Sequence, residues 1–134
     1  SDEKFDVLLA DGFDIDGLPP DLCSRQFYDD CYAALNPNGM FVANLHGCNL
    51  HYEMILDRVQ AGFHGSLLTV NDPGATNRLA FAVKGNPNGL TSLAGVRCPQ
   101  GFDENAWTEL KPSMARVFLA SRALARHRTE PAQT

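Results

Sequence analysis

No run of apolar residues in this chain approaches the roughly 20 needed to cross a bilayer as a helix; its apolar stretches are short, as in VLLA at residues 7–10. Positive charge is also scarce, with 11 Lys and Arg against 16 Asp and Glu and a formal net charge of −5. That balance argues against a nucleic-acid backbone or an anionic membrane surface as partner. Cysteine occurs at Cys23, Cys31, Cys48 and Cys98 but never as a CxxC pair. Reduced thiols in a cytoplasmic protein are the simplest account. His46, Cys48 and His51 form H-x-C-x-x-H, with His64 further along, a spacing that matches no common structural zinc pattern, so no metal is expected. A loop lining a crevice is the simpler role for His46 and Gly47. Internal repeats and low-complexity segments are absent too.

What is there suffices for a core. The 134 residues are 44% hydrophobic and 20% charged, ordinary for one globular domain. The informative stretch is FDVLLADGFDIDGLPP, residues 5–20. Val7, Leu8, Leu9 and Ala10 are apolar at every position, which predicts a strand buried on both faces of a sheet. The run stops at Asp11, and Asp14 and Asp16 follow in a loop punctuated by glycine and proline. In open α/β sheets the ligand crevice lies beyond the carboxyl ends of the strands, so Asp11 and Asp14 sit where a substrate would. The plainer alternative is that Asp14 or Asp16 shapes a turn or caps the next helix.

Taken in order, the periodicity predicts a helix over residues 22–35, with Asp21 or Ser24 as cap and Asn36-Pro37-Asn38-Gly39 ending it. A second strand follows over 40–45, a second amphipathic helix over 50–63, and strands over 66–70 and 79–83. The short turn between the last two favours an antiparallel hairpin, whereas strands separated by helices should be parallel. A helix from Asp103 through Leu110 and another started by Pro112 complete the pattern, before a polar tail over 129–134. The fold class is therefore α/β, a mostly parallel sheet with an antiparallel last strand, in one domain over residues 1–128. Arg116, Arg122, Arg126 and Arg128 give the last helix a basic face, read as solvated or self-associating. Phe27, Tyr28 and Tyr32 are read as packing residues.

Residues 4–85 resemble the second half of the spermidine synthase family of polyamine aminopropyltransferases. The resemblance is carried by Asp11-Gly12-Phe13-Asp14, Gly17-Leu18-Pro19, Leu22, Phe27-Tyr28, Leu35 through Gly39, and the later NRLAFAVKG. It implies the second half of a Rossmann-like, class I methyltransferase-like three-layer fold. It also implies transfer of an aminopropyl group from decarboxylated S-adenosylmethionine, a co-substrate and not a tightly bound cofactor, to a diamine such as putrescine. Asp11 would be the catalytic base and Asp14 would bind the same amine. The loop at Leu18 or Pro19 would touch the adenine through its backbone. The residue types suit that chemistry: an alkyl amine is protonated at neutral pH and must lose a proton to attack. Carboxylates also stabilise a sulfonium donor and a dicationic acceptor.

Two departures from the family pattern bear on these expectations. The tyrosine that helps to bind the amine is replaced here by Asn71-Asp72-Pro73-Gly74, where Asp72 could serve as a cation ligand. The family's nucleoside-binding half, with its glycine-rich turn, has no counterpart in these residues. The chain opens on Ser1 and enters its first strand within four residues, which predicts a piece of a longer enzyme, inactive by itself. The first strand lacks a neighbour on one edge, so either a second copy of the chain or further strands should cover it. A small-molecule methyltransferase on the same fold, and a catalytically silent binding or assembly module, are the alternative functions.

Overall fold

A computed structural model describes residues 2–11, 17, 19–46, 51–71, 74, 77–86 and 96–129. Within it the chain divides into two compact units, Ser1–Pro87 and Asn88–Thr134.

The first unit contains the sheet. Strand β1 is Phe5–Ala10, β2 is Leu35–His46, β3 is Leu68–Asn71 and β4 is Asn77–Val83. Their order is β1-β2-β4-β3. β1 pairs parallel with β2, while β4 runs antiparallel to both β2 and β3. Three strands thus share one direction and β4 opposes them, as the short turn before it predicts. Helix α1, Arg25–Ala34, connects β1 to β2, and helix α2, Tyr52–Gly62, connects β2 to β3. Both connections step the same way across the sheet, so right-handed crossovers put both helices on one face.

That face holds the core. Phe41, Ala43 and Leu45 alternate inward along β2, with Ala80 and Ala82 beside them on β4. Phe41 is fully buried; it stacks on Phe63 at 5.4 Å and meets Tyr28 edge-on at 5.9 Å. Ile55 and Val59 supply the inward stripe of α2, as the periodicity predicts. The alanines of β2 and β4 are small where helices must approach closely, and the rings fill the space above them.

The opposite face behaves differently from the expectation that β1 is buried on both sides. Val7 is 56% exposed and Leu9 73% exposed, while the alternate residues Leu8 and Ala10 pack against the core. Within this chain, β1 ends the sheet and the two helices cover one face only.

Element ends differ from the sequence reading in three places. Residues Pro20–Cys23 form a 3₁₀ turn, and α1 starts at Arg25 after the cap Ser24. β2 is bounded at Leu35, which pairs with Phe5, and Asn38 bonds Lys84 across the sheet, but the register with β1 shifts before Val7 meets Met40 and Asn38 has φ 65°, so the Asn-Pro-Asn-Gly segment is a bulged turn held within the strand's bounds. In the second unit, Pro112 lies inside one long helix, α3 (Glu104–Thr129), and does not start a new one. Among the described residues, no helix is long and apolar enough to cross a membrane.

Phe41→Ala should lower the unfolding free energy by about 3–5 kcal/mol in urea titrations, because it removes the ring on which Tyr28 and Phe63 pack. Alkaline pH should also weaken the fold. Burial, with the nearby Asp30 charge adding, pushes the Cys31 thiol from 9.0 up to about 11. The Cys23 thiol and the Tyr28 hydroxyl move in the same direction, chiefly through burial. These groups keep their protons in the fold at a pH where the unfolded chain releases them. The Cys31 contribution is therefore complete below about pH 9 and is lost as the pH climbs toward 11. The Tm should fall over that interval, and fall less in Cys31→Ala.

Candidate functional site

The carboxyl ends of β1 and β2 lie side by side, because Ala10 is registered with Ala43. The next residue on each strand is polar, Asp11 after Ala10 and Asn44 after Ala43. The amide nitrogen of Asn44 donates to Asp11 Oδ1 at 3.2 Å. By strand alternation Asp11 follows Leu9 and Asn44 follows Val42, on the face turned away from α1 and α2. Asp11 is exposed. Among the described residues the one ion pair is Arg25 with Asp29, so no described lysine or arginine neutralises Asp11.

Beyond Asp11 the chain returns to the sheet at a firmly held segment. Gly17 has φ 109°, a left-handed conformation that side chains rarely adopt. Pro19 then accepts a backbone bond from Leu22 at 2.9 Å, closing the 3₁₀ turn. The Tyr28 hydroxyl donates to the Leu22 carbonyl at 2.8 Å, and Arg58 of α2 donates to the Cys23 carbonyl. Ser24 Oγ accepts from the Phe27 amide at 3.1 Å, which satisfies one of the orphan donors at the start of α1. Of the two residues that sequence reasoning offered as cap, Ser24 is the one that serves.

Asp14, Asp16, Leu18 and Asp72 lie outside the described residues, as does Cys48. Pro19 is described, half-buried beside the 3₁₀ turn. Between Ala10, Leu22, Phe27, Tyr28 and Asn44 a small apolar cleft of about 10 Å³ opens, room for roughly one water molecule. It is far smaller than a nucleoside. Tyr28 is buried and Phe27 half-buried, and they pack edge-on at 5.2 Å, as expected of core aromatics.

His51 and His64 do not converge. His51 precedes α2 and His64 follows it, at opposite ends of an 11-residue helix, about 16 Å of rise. His64 instead packs edge-on against Tyr32 at 4.8 Å. Among the described residues no cluster of three or more His, Cys, Asp or Glu could hold a metal ion. Asn44 is the site residue that sequence reasoning passed over. Its signal was the repeated pattern of a small residue followed by a polar one, at the carboxyl end of two adjacent strands.

Comparison with known proteins points to one family by sequence. The polyamine aminopropyltransferase of Chromobacterium violaceum is 33% identical over 94 residues, covering 69% of this chain and 35% of that protein. The polyamine aminopropyltransferase of Neisseria meningitidis serogroup A is 30% identical over 82 residues, or 61% of this chain and 31% of that one. The chain thus spans about a third of the length of these curated relatives. No protein-family model matches. Among solved structures, spermidine synthase from Thermotoga maritima aligns with a TM-score of 0.48 at 19% identity, over 84% of this chain and 44% of that one. A methyltransferase from Pyrococcus furiosus aligns with a TM-score of 0.49 at 20% identity, over 64% of this chain and 44% of that one.

Replacing the cap, Ser24→Ala, should cost about 1 kcal/mol in a denaturant titration. Because Ser24 closes the return from the loop, amide exchange at Phe27 should accelerate in that variant while exchange at Phe41 tracks global unfolding only.

Proposed function

We propose that this chain carries the amine-activating part of a polyamine aminopropyltransferase, transferring an aminopropyl group from decarboxylated S-adenosylmethionine to a diamine such as putrescine; relatives of that name at 30% and 33% identity support the reading. The observation that carries this reading is Asp11: an exposed carboxylate at the carboxyl end of a strand, held by an amide and unpaired with any described cation. In this reading residues 1–128 act as a partial catalytic domain in the cytoplasm, with its thiols reduced. The exposed face of β1 is covered in use by a second copy or by further chain.

The chemistry follows from charge and protonation. A diamine reaches the site as a dication and is attracted by the Asp11 carboxylate. Asp11 accepts a proton from the reacting ammonium, which frees the nitrogen lone pair. That nitrogen attacks the aminopropyl carbon bound to the donor's sulfonium. The N–C bond forms as the C–S bond breaks, and the bonding pair goes to sulfur. The leaving thioether, methylthioadenosine, is neutral, so its departure requires no general acid. Asp14 and Asp72 bind the amine in this proposal, and the backbone at Leu18 and Pro19 contacts the adenine. The rest of the nucleoside site lies outside these residues, in keeping with a cleft of only about 10 Å³.

The test is an assay of the full-length protein for methylthioadenosine release with decarboxylated donor and a panel of diamines. Asp11→Asn should lower kcat by at least about a hundredfold, as loss of a general base does, with little change in Tm. Turnover with intact S-adenosylmethionine would instead identify a methyltransferase. Absence of both turnover and nucleoside binding would identify a silent assembly module.

A further inference from the structure

We propose that Asn44 is a positioning residue for Asp11: it fixes the carboxylate by one oxygen and leaves the other to take the proton. The inference rests on the reading of Asp11 as the base. Asp11 stands one residue past the end of a strand and is exposed. Left to itself, such a side chain would populate several χ1 wells, and only one would aim at a bound amine. Asn44 is differently placed. It lies within β2, which is paired on both sides, with Ala43 beside Ala10 and Asn44 opposite Leu79. A side chain rooted in a paired strand, opposite Leu79 of β4, is a rigid anchor for one that is not.

The chemistry of the contact divides the work between the two carboxylate oxygens. An ionised carboxylate only accepts hydrogen bonds, so the amide must present its NH₂ group, as the 3.2 Å contact from Nδ2 to Oδ1 has it. Among the described residues Oδ1 is thereby held and Oδ2 has no partner. An amide also orients without neutralising. A lysine or arginine at position 44 would pair with Asp11 and compete with a cationic guest. A carboxylate there would repel Asp11 and favour sharing a proton between them. Asparagine fixes direction and leaves the full negative charge available.

Three variants separate positioning from mere packing. In Asn44→Leu, similar in size but without the donor, kcat should drop roughly threefold to tenfold, on the scale of one ordinary exposed hydrogen bond. KM for the decarboxylated donor should stay unchanged. The three-bond couplings that report the Asp11 χ1 angle by NMR should move from a single-rotamer value toward a rotamer average. Asn44→Gln retains the amide and should recover most of both readouts. The exchanged pair, Asp11→Asn with Asn44→Asp, can rebuild the hydrogen bond in reverse and should fold normally, yet not recover turnover. Unchanged couplings in Asn44→Leu overturn the proposal, whatever happens to kcat, and so does a normal kcat with averaged couplings. If the full-length protein shows no aminopropyl transfer, or its Asp11→Asn variant turns over normally, the functional reading fails. The couplings alone then decide whether Asn44 orients Asp11.

Discussion

The parallel pairing of β1 with β2 is the constraint on which the rest of this chain depends. Its register sets Ala10 beside Ala43 and so brings Asp11 and Asn44, 33 residues apart, into hydrogen-bonding contact. The same pairing requires a crossover connection, which α1 supplies, and the crossover's hand decides which face of the sheet the helix covers. Core, crevice and uncovered face all follow from that arrangement. A slip of one residue would either send Phe41 out of the core or turn Asp11 toward the helices.

The inner face is secured by aromatic rings meeting at fixed angles over small strand residues. Tyr28, Phe41 and Phe63 form a connected set, and the Tyr28 hydroxyl reaches back to the Leu22 carbonyl. This ties the packing of the core to the segment that closes the Asp11 loop. Arg58 and Ser24 fasten the same segment from α2 and from the helix start. The candidate site therefore has one rigid side, made by strand ends, and a second side anchored through three side chains to the core. Preorganisation of that kind is what general-base chemistry requires, since a misdirected carboxylate cannot take a proton in the transition state.

The outer face shows the other consequence of the topology. Val7 and Leu9 are as apolar as the residues that pack inside, yet they are exposed. Hydrophobic residues at every position of β1 fit a strand with neighbours on both faces. In the polyamine aminopropyltransferases that it matches, this chain corresponds to about a third of the length. A sheet built for coverage on both faces accounts for the composition of β1 better than any function of an isolated edge.

The order of strands and helices, the antiparallel direction of β4 and the place of Asp11 at a strand's end were all legible in residue patterns. Each is a local matter: apolar runs, helical periodicity, and turns too short for a crossover. The start of β2 at Leu35 escaped the local reading because the Asn-Pro-Asn-Gly segment is a turn, and it is the pairing of Leu35 with Phe5 and of Asn38 with Lys84 that holds this turn in the sheet. Pro112 looked like a helix start for the same reason, a local preference overruled by its surroundings. Asn44 could not be singled out from its own neighbourhood at all, since its role exists only where a second strand, distant in sequence, ends beside it. Composition and period can establish which elements form. Register between elements is a property of their packing, and it alone brings the carboxylate to its amide.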